Sequence, residues 1–184
     1  MKNLIKRYWQ IVVIAILIIV LDQWTKSLVR ANIPLGGTWL PDSMQWLHPY
    51  ARIVHWYNTG AAFGMFKDGS MVFTVLAFIV IVMILYYYPQ VEQADWSLRI
   101  AMSMQLGGAA GNLIDRLTIG HVTDFISVGN FAVFNVADAS ISVGAAVLFL
   151  GIILMEQAER KRKKQESDQR ETPPGEKPGE VTSE

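Results

Sequence analysis

The sequence predicts a mainly α-helical membrane protein, built as a bundle of four transmembrane helices with a small extracytoplasmic β-platform. Hydrophobic residues make up 52% of the 184 residues and charged residues only 17%. The charges are also segregated, because 15 of the 32 lie in residues 156–184. An apolar body with a separate charged end is typical of a membrane-embedded chain rather than of a soluble core.

Four apolar segments are long enough to cross a bilayer. They cover approximately residues 8–28, 71–88, 98–117 and 138–155. Each approaches the ~20 residues that span a hydrocarbon core of ~30 Å. The third contains Gly107, Gly108 and Gly111, which favour close helix packing. No small-x-small cleavage site follows the first segment, which indicates an uncleaved helix rather than a signal peptide.

The basic residues predict the orientation of the chain. Lys2, Lys6 and Arg7 precede the first helix, and a run from Arg160 to Lys164 follows the fourth. By the positive-inside rule both termini are cytoplasmic, in agreement with an even number of crossings. The chain then divides into a membrane domain, residues 1–155, and a cytoplasmic segment, residues 156–184, whose part after the basic run we expect to be disordered.

The first outward connection is predicted to form the β-platform, at about residues 38–66. Its segment from Arg52 to Tyr57 is rich in β-branched and aromatic residues and follows Pro41 and Pro49. This composition favours one or two short strands. The segment from Asn58 to Gly64 then forms a turn with an apolar hook.

Polar residues that are distant in the sequence converge on the outer side of this bundle. They are Asp22 and Lys26 of the first helix, Asn112, Asp115 and Arg116 of the third, Asp124 of the second outward loop, and Asp138 at the start of the fourth helix. Carboxylates beside hydrocarbon are costly and usually belong to functional sites. Two neighbouring carboxylates share a proton, so one activates water while the other polarises a carbonyl group. We therefore predict that Asp124 and Asp138 form an aspartyl protease pair near the outer leaflet.

Structural roles remain open for several of these residues. Asp138 equally fits a helix cap, and the spacing of Asp22 and Lys26 favours an ion pair. Asp115 and Arg116 also fit a local brace. A serine–lysine mechanism would join Lys26 to Ser127 or Ser140, but neither serine lies in a nucleophile elbow.

Other chemistries have little support in the sequence. His48, His55 and His121 lack the spacing of a metal site, and the absence of cysteine excludes thiol catalysis. We expect no metal and no cofactor. The main alternative function is a small proton-coupled transporter, whose carboxylates would lie near the membrane midplane. A scaffold protein, in which the polar residues only brace the bundle, is a third possibility.

Five segments carry a resemblance to a known family. They read LDQWTK from Leu21, NTGAAFG from Asn58, GNLIDR from Gly111, HVTDF from His121 and FNVAD from Phe134. With these segments the chain resembles the bacterial lipoprotein signal peptidases, also called signal peptidase II. The resemblance implies a four-helix inner-membrane aspartyl endopeptidase. This family removes the signal peptide from prolipoproteins, cutting before a cysteine that carries diacylglycerol.

The resemblance also implies roles for single residues. Asp124 and Asp138 match the catalytic dyad of the family. The supporting and substrate-binding positions are Asp22, Lys26, Asn58, Gly60, Asn112, Asp115, Arg116 and Asn135. The expected partners are a prolipoprotein with a diacylglyceryl-cysteine and membrane lipid, without nucleic acid, and we expect a monomer.

Overall fold

The computed structural model describes residues 2–59, 70–92 and 94–171. Its helices are α1 (Lys2–Asn32), α2 (Ser70–Tyr87), α3 (Trp96–Ile119) and α4 (Val136–Glu171), and its strands are β1 (Thr38–Trp39), β2 (Ala51–Asn58) and β3 (Val122–Val128). Among the described residues, 3-10 helices cover Asp42–Leu47 and Tyr88–Gln90. Met1–Leu148 form one compact unit and Phe149–Glu184 a second, so α4 begins in the first unit and ends in the second.

Three of the described helices are long and apolar enough to cross a membrane. These are α1, α2 and α4, over Tyr8–Asn32, Ser70–Gln90 and Val136–Lys163. The prediction of a mainly helical membrane chain is thereby confirmed, but its count of four spanning helices is not. The helix α3 is less apolar than these three helices because it carries Arg99, Asn112 and Asp115, which are all buried within the protein.

The helix α4 continues well beyond the predicted end at residue 155. It is helical to Glu171, and so extends into the segment for which the sequence predicted disorder. Arg160 and Glu156, four residues apart, form an ion pair of 2.6 Å on its exposed surface. Lys, Arg, Glu and Gln favour helix where no packing is needed, which accounts for the extension. Residues 172–184 lie outside the described part.

Glycines of α3 allow its neighbours to approach closely, as the sequence predicted. A Cβ atom on Gly107 would lie 2.8 Å from Cβ of Ile18, and one on Gly108 would lie 2.5 Å from the carbonyl oxygen of Ala137. Both α1 and α4 therefore pack directly on the backbone of α3. This contact brings the polar residues of the three helices within reach of one another.

The three strands form one antiparallel sheet in the order β1-β2-β3. Trp56 on β2 pairs with Asp124 on β3, after an irregular step between Ile53 and Trp56. The prediction placed strands only in the first outward connection and put Asp124 in a loop, and both points are wrong. The strand was missed because buried Thr123, Asp124 and Ser127 break its apolar pattern. The predicted hook at residues 60–64 lies outside the described residues.

Candidate active site

Asp124 and Asp138 are held by amide groups from β2, from α3 and from the connection that precedes α4. Asn58 on β2 donates through Nδ2 to Oδ2 of Asp124 at 2.8 Å. Asn135 donates through Nδ2 to Oδ1 of the same carboxylate at 2.7 Å. Asn112 on α3 donates through Nδ2 to Oδ1 of Asp138 at 2.8 Å. The orientation of each carboxylate is therefore fixed by the tertiary fold.

Asn135 connects the two carboxylates directly. Besides its side-chain contact with Asp124, its backbone N–H donates to Oδ2 of Asp138 at 3.3 Å, and its Oδ1 accepts from the backbone N–H of Asp138 at 2.9 Å. This reciprocal pair is a capping box at the start of α4. The cap that the sequence suggested at Asp138 is thus made by Asn135, with Asp138 as its partner. One residue therefore sets the position of both acids.

The environment of Asp124 favours its protonated form. The pKa of Asp124 is raised to about 7, chiefly by burial and also by the charge of Asp138, while the hydrogen bonds from Asn58 and Asn135 oppose this rise. At neutral pH this carboxyl is consequently protonated in a substantial fraction of molecules. A carboxyl group that carries a proton near pH 7 is able to act as a general acid.

The buried ammonium group of Lys26 lies beside the residues that hold the two acids. Nζ of Lys26 lies 2.8 Å from Oδ2 of Asp22 and 3.3 Å from Oδ2 of Asp115, with all three side chains at most 1% exposed. Nζ also donates to Oδ1 of Asn112 at 2.9 Å. Three acceptors match the three hydrogens of the ammonium. The predicted ion pair of Asp22 and Lys26 is confirmed, and these contacts leave Lys26 unsuited to activating a serine.

Lys26 also determines which way Asn112 points. Oδ1 of Asn112 accepts from Lys26 and, at 3.2 Å, from Nδ2 of Asn135. Its Nδ2 group must therefore face Asp138. The ammonium thus acts on the site through Asn112 without touching either acid.

Asp115 fastens β3 to the helices beside Asp124. Its Oδ2 accepts from the backbone N–H of Thr123 at 3.0 Å, and its Oδ1 lies 3.5 Å from NH1 of Arg30. The local brace that the sequence left open for Asp115 and Arg116 is not the observed arrangement, since Arg116 lies over the ring of Phe73. Successive residues on a helix point in different directions, which explains the difference.

Two contributors to this network were missed in the sequence. Gln23 donates through Nε2 to Asp115 at 3.1 Å and to the carbonyl oxygen of Gly111 at 3.0 Å. Arg30 donates to Oγ1 of Thr123 at 3.1 Å. Arg30 is one helical turn beyond Lys26, so the periodicity of α1 contained a signal for it. Gly60, the remaining predicted site residue, lies outside the described part of the chain.

The two serines considered for a serine–lysine mechanism have packing and pairing contacts in the fold. Ser140 donates its hydroxyl to the carbonyl oxygens of Ala137 and Met104, at 2.8 and 3.2 Å. It therefore packs α4 against α3. Ser127 is a buried residue of β3, paired with Arg52.

Comparison with known proteins identifies the family. Residues 14–154 match the family described as signal peptidase (SPase) II. The chain belongs to the signal peptidase II family. It is 37% identical over 155 residues to the lipoprotein signal peptidase of Halalkalibacterium halodurans, covering 82% of this chain and 96% of that one. It is 40% identical to that of Mesorhizobium japonicum, covering 71% of this chain and 77% of the relative.

Solved structures agree with the fold of this signal peptidase II family member. One, described as a bacterial membrane enzyme studied by the in meso method at 2.3 Å, superposes with a TM-score of 0.70 at 27% identity. The match covers 82% of this chain and 90% of the other. The resemblance noted in the sequence is confirmed. The chain is accordingly a bacterial peptidase of the inner membrane, and membership in this family argues against the transporter and scaffold alternatives.

Proposed function

We propose that Asp124 and Asp138 form a water-activating dyad with which this chain removes the signal peptide from prolipoproteins. The observation that carries the proposal is Asn135, whose side chain and backbone bind one carboxylate each. The relatives of this chain are named lipoprotein signal peptidases, and this name supplies the substrate class. Cleavage would occur before a cysteine that carries diacylglycerol.

The dyad would act with one proton shared between its two carboxyl groups. The ionised carboxylate takes a proton from a water molecule as the water oxygen bonds to the scissile carbonyl carbon. The protonated carboxyl group gives its proton to the carbonyl oxygen. Proton transfer to the amide nitrogen then allows the C–N bond to break, which leaves a new carboxyl group and a free amine. The acid and base roles belong to the pair, because the two titrations are coupled.

The surrounding residues would support this reaction by positioning. Asn58, Asn112 and Asn135 orient the acids, while Asp22, Lys26 and Asp115 form the charged layer that holds Asn112. For Arg116 and Gly60 we propose supporting roles on the motif alone.

The membrane arrangement that we propose has four crossings, with α3 as the crossing shielded by the other helices. Both termini would be cytoplasmic and the dyad would lie near the outer leaflet, where a lipid-bearing cysteine is anchored. The support is the basic residues at both ends, from Lys2 to Arg7 and from Arg160 to Lys164. Residues 1–155 would form the membrane domain and residues 156–184 the cytoplasmic segment. We propose that the chain acts as a monomer in contact with lipid.

The test replaces single carboxylates. With a diacylglyceryl-modified prolipoprotein, Asp124→Asn or Asp138→Asn should lower turnover by at least ~10²-fold, the typical contribution of general acid–base catalysis. Asp115→Asn should retain more activity, because its carboxylate braces β3 without touching the dyad. Cleavage is followed by gel shift, and thermal unfolding in detergent checks that each variant is folded. Wild-type turnover in either dyad variant would show that the assignment is wrong.

A further inference from the structure

A concave surface lies at the end of α3 that is remote from the dyad. This groove of about 540 Å³ lies between α2 and α3 and has a largely apolar wall. The wall is formed by Met83, Ile84, Tyr87, Leu98 and Met102. Glu92 and Asp95, from the connection between the two helices, also line it. None of these residues contributes to the dyad.

The groove and the dyad lie toward opposite ends of α3. Leu98, Met102, Gln105 and Asn112 are spaced by four, three and seven residues, and so lie along one stripe of the helix. Asn112 is the residue that contacts Asp138. With 1.5 Å of rise per residue, Asp95 and Asn112 lie about 26 Å apart along the helix. Because α4 packs on Gly108 between these two points, a substrate helix of about 18 residues would match this distance while passing beside α4.

The charged residues that line the groove are both acidic. Residues 88–98 contain Glu92 and Asp95 but no lysine or arginine. Within residues 2–59, 70–92 and 94–171, neither carboxylate is in an ion pair, and Glu92 is exposed. The neighbouring Arg99 is buried and donates through Nε to Oε1 of Gln10 and through Nη1 to the carbonyl oxygen of Val91. In the membrane arrangement proposed above this connection is cytoplasmic, and its two carboxylates are placed to bind a ligand of opposite charge.

Building on the proposed function, we propose that this groove binds the amino-terminal part of the substrate's signal peptide, with Glu92 and Asp95 pairing with its basic residues. A signal peptide has a positively charged segment followed by 7–15 apolar residues. The apolar wall fits the apolar segment of a signal peptide, and the carboxylates fit its positively charged segment. Met83 and Met102 suit varied apolar sequences, because methionine side chains adapt readily in shape. The groove would therefore select substrates by charge and apolarity rather than by exact sequence.

The test pairs enzyme variants with substrate variants. The full-length protein carrying Glu92→Gln and Asp95→Asn is assayed on a diacylglyceryl-modified prolipoprotein with lysines in its amino-terminal segment, and on the same substrate with glutamines there. We expect kcat/KM on the lysine substrate to fall about three- to tenfold through KM, as two partly exposed ion pairs are lost. On the glutamine substrate the variant and the wild type should be equal. Asp42→Asn, which removes an exposed carboxylate from the first outward connection, is the matched control and should change neither value.

A reversal of charge gives a second, independent readout. Glu92→Lys should disfavour the lysine substrate and favour a substrate with glutamates at the same positions. Equal losses on all substrates would overturn the proposal and indicate a structural effect or a groove filled by membrane lipid. Unchanged kcat/KM on all substrates would also overturn it, while leaving the peptidase function intact. Failure of the wild-type protein to cleave any of these substrates would instead count against the proposed function itself.

Discussion

Replacing Lys26 with methionine tests whether the buried charged layer holds the site together. Methionine has a similar length and no charge, so the change removes the ammonium with little change in volume. Asp22 and Asp115 then lose their closest cationic partner, at 2.8 and 3.3 Å. Asp22 keeps donors from Gln23 and from the backbone of Ala137, at 3.2 and 3.0 Å. The perturbation is therefore a buried carboxylate that lacks a counter-charge.

The expected cost follows from this imbalance. Removing one partner of a buried ion pair costs ~3–5 kcal/mol, because the remaining charge stays buried. The surviving donors to Asp22, and Arg30 beside Asp115 at 3.5 Å, place the expected value near the lower limit, at about 3 kcal/mol. For a chain of this length each kcal/mol lowers the unfolding temperature by ~2–4 °C. Lys26→Met should therefore unfold about 6–12 °C below the wild type.

A double variant separates charge from packing. Lys26→Met combined with Asp22→Asn removes the charge left behind, so its unfolding temperature should lie above that of Lys26→Met alone. Thermal unfolding in one detergent at pH 7 is measured for Lys26→Met, for Asp22→Asn and for the double variant, with Lys161→Met, at an exposed position, as the control. An unfolding temperature of Lys26→Met within 2 °C of the wild type would refute the reasoning. So would a double variant whose loss equals the sum of the two single losses, since coupled residues are not additive.

Further predictions concern the acids and the helix packing. Asn58→Ala removes a hydrogen bond that lowers the pKa of Asp124. The alkaline limb of the pH–rate profile should therefore move about one pH unit upward. A limb that stays in place or moves downward would contradict this prediction. The pKa of Asp124 is about 7 in the folded chain, whereas its ordinary value is 3.8. Between these two values the folded chain binds a proton that the unfolded chain has released, so the stability due to this group is lost as pH rises from about 4 to 7. Asp124→Asn should therefore show a smaller fall in unfolding temperature between pH 5 and 8 than the wild type, and equal falls would exclude a raised pKa. Gly108→Ala places a Cβ 2.5 Å from a backbone oxygen of α4 and should lower the free energy of unfolding by ~1–3 kcal/mol. In Gly144→Ala the nearest contact of the new Cβ is 3.1 Å, so the loss should be smaller. The opposite order of unfolding temperatures would contradict this packing.

Much of the fold was predictable because the membrane imposes simple rules on sequence. The apolar runs gave the positions of α1, α2 and α4 to within a few residues at most ends, since only a helix satisfies its own backbone in hydrocarbon. The convergence of polar residues near Asp124 and Asp138 followed from helix direction alone. The pair Asp22 and Lys26 followed from helical spacing. These features depend on local periodicity and on depth, and both can be read from one segment at a time.

Other features needed contacts between distant segments. The strand β3 has no clear pattern of its own, because its polar residues are buried against β2, α1 and α3 rather than exposed. The brace of Asp115 was assigned to the wrong arginine, since neighbours in sequence face apart on a helix while Arg30 faces it across the bundle.

What the sequence by itself determined was the class of molecule, its family segments and the residues proposed as its dyad. Only the tertiary structure decided how those residues are held: Asn135 between the two acids, Lys26 turning Asn112 toward Asp138, and β3 carrying Asp124. It also disclosed the groove between α2 and α3, which no single motif marks. The reason is that hydrogen-bond direction and concave shape arise from pairs of elements, and a periodic pattern in one element contains no information about its partner's side chains.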